Sequence, residues 1–84
     1  MPSSGSGSPA RLRFSAHARR RMQQRGIPEA AVHRAVRGGA RQPAPGDPGA
    51  AACWEYRAHV DGQRLVVVVR ESRDAPVVIT AWWE

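Results

Sequence analysis

The chain has 84 residues, a formal net charge of +6 and a hydrophobic share of 42%. That supports one small domain, near the lower limit for a self-sufficient core, and no apolar run is long enough to span a bilayer. The single cysteine, Cys53, excludes an internal disulfide and a cysteine-built zinc site, and no charged-then-apolar leader points to secretion. A cytoplasmic setting is expected.

The charge is divided unevenly. Residues 1–46 hold nine arginines against one acid, Glu29, whereas residues 47–84 hold four arginines against six acids. A basic half on a small domain is the electrostatic footprint of a nucleic-acid binder, or of a domain that docks an acidic protein. All thirteen basic residues are arginine, and with abundant Ala, Gly and Pro this is what a GC-rich coding bias gives. The sign of the charge carries the argument; the choice of arginine does not.

Residues 1–10, rich in Ser, Gly and Pro, read as a disordered low-complexity segment, and residues 11–84 as a single domain. Residues 11–14 are a short extended lead-in. Ser15 is a natural N-cap and Gly26 sits where a helix ends in a left-handed residue, so the first helix lies between them. At about 100° per residue, His17, Arg21 and Arg25 share one narrow strip with Arg20 and Gln24 beside it. Phe14, Ala18 and Met22 make the adjoining apolar strip. Pro28 and Glu29 suit the first turn of a second helix, whose apolar side is Ala31, Val32, Ala35 and Val36. Gly38 and Gly39 stop it. Residues 38–52 read as a long Pro/Gly-rich loop, with room for a short strand near Arg41.

The second half is β. Trp54 to Val60 alternates apolar and polar, and Asp61-Gly62 is a strong hairpin signal. A two-residue turn there pairs Val60 with Gln63, Ala58 with Leu65, Tyr56 with Val67 and Trp54 with Val69. Leu65 to Val69 is apolar on both sides, as a central strand is. The closing strand is expected to put Val78, Thr80 and Trp82 on one face and Val77, Ile79, Ala81 and Trp83 on the other. The fold class is α+β: two N-terminal helices packed on a three- to four-stranded antiparallel sheet.

The segment from His17 through Arg21-Met22 to Arg25-Gly26-Ile27 is followed by Val32 and Val36, a valine-rich strand and a closing Val78-Ile79-Thr80 with aromatics. Over about residues 13–83 this pattern resembles a bacterial family, domain of unknown function 4258. That family is similar to RelE and BrnT toxins and the wider group of small metal-independent ribonucleases. The resemblance implies a RelE/BrnT-like ribonuclease fold, often encoded near an antitoxin or carried as part of a larger toxin, and it supports the fold more strongly than an activity.

A ribonuclease needs a proton carrier and cations at one phosphate. His17 is placed to take the proton of a ribose 2′-hydroxyl, Arg21 and Arg25 to hold the scissile phosphate, and Thr80 to bond a phosphate oxygen. Each has a plainer role: His17 tying the helix start to a strand, Arg25 bonding the last helical carbonyls, Thr80 as a good strand residue. Arg20, Gln24, Arg57, His59 and Arg64 are candidate backbone contacts, and Trp82 a base-stacking residue. Trp54 and Trp83 read as core or homodimer contacts. No metal-ligand spacing, cofactor motif or nucleophile elbow stands out. The expected function is a metal-independent endoribonuclease with RNA as partner. The alternatives are a non-catalytic nucleic-acid-binding module and a domain docking an acidic antitoxin.

Overall fold

The computed structural model describes residues 12–44, 53–72 and 74–84. The low-complexity segment 1–10, the start of the lead-in at Arg11 and the Pro/Gly-rich stretch 45–52 lie outside the described residues. In chain order the elements are β1 (Arg13–Phe14), α1 (Ala16–Arg25), α2 (Glu29–Gly38), β2 (Ala40–Pro43), β3 (Cys53–Val60), β4 (Gln63–Arg70) and β5 (Val77–Trp83).

Local chemistry sets the helix ends. Ser15 Oγ accepts the Ala18 amide N–H at 3.0 Å, satisfying one orphan donor of the first turn of α1. Gly26 closes the helix at φ 65°, and Ile27 N–H donates to the Met22 carbonyl at 2.9 Å. At the far end of α2 the Gly39 N–H donates to Ala35 O at 2.8 Å. A Cβ on Gly39 would lie 2.5 Å from Ala35 O and 2.8 Å from Arg57 O. The chain turns from helix to sheet there only because no side chain stands in the way.

The hairpin follows its turn residues. Asp61 at φ 52° and Gly62 at φ 81° supply the two positive φ values of a type I′ turn. Val60 pairs with Gln63, Ala58 with Leu65, Tyr56 with Val67 and Trp54 with Val69, the register that the alternation of Trp54 to Val60 requires.

The sheet as a whole departs from the expected one. It has five strands in the order β1-β5-β4-β3-β2, and β1 runs parallel to β5, so it is mixed and not a three- to four-stranded antiparallel sheet. The extra strands come from pieces too short or irregular to carry a pattern. Arg13 and Phe14 pair with Val77 and Val78, and two residues show no period. Residues 40–43, inside the stretch read as a loop, form β2 beside β3, and Pro43 is tolerated because β2 is an edge. The strand hinted near Arg41 is this one.

Both helices lie on one face of the sheet. Ala18 and Met22 of α1 join Ala31, Val32 and Ala35 of α2 over Leu65, Val67, Val69, Val78 and Ala81 in one buried cluster. Burying the Val, Leu and Met side chains among these contributes about 1.5–3 kcal/mol each, the main favourable term in so small a domain. The faces of β5 also differ from strict alternation. Val68 pairs with Thr80 but Val69 pairs with Val78, so Ile79 is an extra residue in a β-bulge. The bulge resets the alternation: Val78, Ala81 and Trp83 turn to the helices, and Val77, Thr80 and Trp82 to the other face, with Val66 and Val68.

Candidate nucleic-acid interface

The outer edge of β5 positions the site. β1 pairs only with Val77 and Val78, and beyond it the edge is met by α1. Arg25 Nη1 donates to the Ala81 carbonyl at 2.8 Å, and Trp83 Nε1 donates to the Arg25 carbonyl at 2.9 Å. The two bonds run in opposite directions between the last turn of α1 and the end of β5. They hold the helix along the strand. Arg25 spends one of five N–H donors in this way, and the residue stays exposed.

Upstream of Arg25 on the same flank of α1 stand Arg21, His17, Gln24 and Arg20. Arg21 is half-buried and its Nη1 donates to Gln24 Oε1 at 3.3 Å. His17, Arg20 and Gln24 are exposed, and His17 has no hydrogen-bond or ion-pair partner among the described residues. Arg20, Arg21 and Arg25 likewise have no carboxylate partner among the described residues. Arg19, on the opposite flank, is paired with Glu29 at 3.1 Å. A shallow pocket on that flank is lined by Arg19, Met22, Gln23, Ile27 and Glu29.

The strand-face candidates are placed differently. Arg57 is paired with Glu55 at 3.2 Å and with Glu84 at 3.8 Å, and Arg64 with Glu84 at 3.2 Å. These pairs neutralise the Arg57 and Arg64 guanidinium groups on the helix-free face. His59 sits exposed in register with Arg64. Thr80 and Trp82 are half-buried on that same helix-free face. The structure therefore gathers His17, Arg20, Arg21, Gln24 and Arg25 on one helix flank. Thr80 and Trp82 stand across β5 from them, and Arg57, His59 and Arg64 belong to a charge-compensated patch.

Sequence reasoning passed over one pair. Trp54, read as a core or dimer residue, is outside the buried cluster and carries the Arg41 guanidinium 4.1 Å from its ring centroid. The contact is diagonal across β2 and β3, and no sequence signal reaches it until the pairing of Arg41 with Tyr56 is known. Among the described residues no group of three or more His, Cys, Asp or Glu stands together, and no helix is long and apolar enough to cross a membrane.

A family model described as "Domain of unknown function (DUF4258)" matches residues 14–83. The chain belongs to this family. The DUF4258 match takes in both helices and β2 to β5, so the α1 flank and the β5 edge that holds it lie inside the family domain. No curated protein and no solved structure matches the chain.

Proposed function

We propose that this DUF4258 domain is a toxin-like endoribonuclease, similar to RelE and BrnT toxins. It grips single-stranded RNA along α1 and cleaves it by attack of the 2′-hydroxyl, without a metal ion. One observation carries the reading: the arginines on the α1 flank have no carboxylate partner among the described residues, whereas Arg57 and Arg64 on the strand face do. Uncompensated guanidinium groups at the spacing of helical turns are what a phosphate backbone recruits.

In this reading His17 takes the proton of the 2′-hydroxyl as its oxygen bonds to phosphorus. Arg21 and the remaining donors of Arg25 hold the charge that builds on the phosphoryl oxygens. The bond to the 5′-oxygen breaks, and that oxygen takes a proton from the imidazolium or from water. Arg20 and Gln24 track the flanking backbone. Thr80 and Trp82 come into play where the strand passes around the β5 edge to the other face. A partner of antitoxin type would be acidic and would cover the same flank, and a cytoplasmic site of action fits an RNA target.

The test is incubation of the domain with mixed-sequence RNA in EDTA beside His17→Ala. Products with cyclic or 3′-phosphate ends, reduced about 10²- to 10⁴-fold in the variant, are expected. Intact RNA that is still retarded at low salt would leave a binding module. RNA that is neither cut nor bound would turn the reading to an acidic protein partner.

A further inference from the structure

We propose that Arg41 and Trp54 form a nucleobase-stacking site, separate from the α1 flank and at the opposite edge of the sheet. The proposal rests on the RNA reading above and names the base contact that the α1 flank lacks. The strand order puts α1 beside β5 at one edge and β2 at the other. At strand spacings of about 4.8 Å, the two edges of a five-stranded sheet are roughly 19 Å apart.

The helix layer does not reach this corner. α2 meets the sheet towards the hairpin turn, where Arg34 faces Asp61 at 3.9 Å and Gly39 sits against Arg57 and Ala58. Further back along β3, Trp54 is left half-buried beside an edge strand exposed along its whole length. A partly exposed indole is a costly thing to leave on a surface, and here it is held in one orientation. Trp54 Nε1 donates to Glu71 Oε2 at 3.1 Å. Arg41 lies over its ring, and Arg41 Nη1 donates to Tyr56 Oη at 3.5 Å. Arg41 has no carboxylate partner among the described residues.

Two planar groups are thus already in contact, one cationic and one aromatic, with the guanidinium on the exposed strand. Bases of single-stranded RNA stack on aromatic rings and on arginine planes alike, because every base has a π-face. The site would take a base of any identity. The α1 flank, at the other edge of the sheet, holds the backbone.

Two labelled single-stranded oligonucleotides of equal phosphate number, one bearing bases and one abasic, separate base from backbone. Their affinities are read by fluorescence anisotropy for the wild type, Arg41→Ala, Trp54→Ala and Trp54→Phe. The wild type is expected to favour the base-bearing strand about 5- to 100-fold. Arg41→Ala and Trp54→Ala should lose most of that preference while keeping their affinity for the abasic strand, and Trp54→Phe should keep part of it. Arg41 lies on an exposed edge, so its variant stands even where Trp54→Ala fails to fold. Equal binding of both strands by the wild type, or a preference that survives undiminished in Arg41→Ala, overturns the stacking site and leaves the α1 reading standing. Binding of neither strand overturns both.

Discussion

The contrast between unpaired and paired arginines makes a quantitative prediction. Each phosphate contact on single-stranded nucleic acid contributes about −0.7 to the slope of log affinity against log salt. Arg20, Arg21 and Arg25 together should give a slope of about −2, so raising salt from about 50 to 200 mM weakens binding about 20-fold. The double variant Arg20→Ala/Arg21→Ala leaves a slope of about −0.7 and only about a threefold loss over the same range. Arg57→Ala/Arg64→Ala should leave the slope unchanged, because Glu55 and Glu84 already occupy those guanidinium groups. Anisotropy titrations of a labelled RNA at several salt concentrations measure all three slopes. A strand-face variant that flattens the slope as much as the helix variant would refute the reasoning and move the binding surface to the sheet.

The helix ends can be tested by their effect on stability. Gly39→Ala should cost about 2–3 kcal/mol, since the new Cβ meets backbone oxygens of Ala35 and Arg57 that have nowhere to go. At about 4–8 °C per kcal/mol for a domain of this size, thermal unfolding by circular dichroism should fall by roughly 10–20 °C. Gly38→Ala, one residue earlier with nothing within 4 Å of its Cβ, should be neutral or gain up to about 1 kcal/mol. Equal melting temperatures for the two variants would sink this account of the helix end. Ser15→Ala should cost about 1 kcal/mol by orphaning the Ala18 amide, and Ser15→Asp should restore it.

What the sequence disclosed depended on how local its cause was. The caps of α1 are decided within a few residues, and Ser15 and Gly26 act as their types dictate. The hairpin register follows from Asp61-Gly62 and from alternation across a two-residue turn. The parallel pairing of Arg13 and Phe14 with Val77 and Val78 joins chain ends far apart in sequence, and two residues carry no periodicity to announce it. The bulge at Ile79 was hidden too, because every residue around it is a good strand former. The site divides along the same line. The α1 flank is a matter of helical spacing and was legible. The pairing of Arg57 and Arg64 with Glu84, the bond from Arg25 to Ala81 and the contact of Arg41 with Trp54 are tertiary.

The two margins of the sheet share a property that bears on solubility. An open strand edge is a template on which another chain can build, and among the described residues neither side offers a usable length of it. On one side β1 is two residues long and the next outward carbonyl, that of Ala81, is already taken by Arg25. On the other, β2 has four residues, carries a positive charge at Arg41 and ends in Pro43, which has no N–H to give. A domain whose hydrophobic content is concentrated in valine strands would otherwise be prone to fibrous self-assembly. Loss of the Arg25 guanidinium should therefore surface first as slow aggregation at high concentration, before any change in the native contacts of the core.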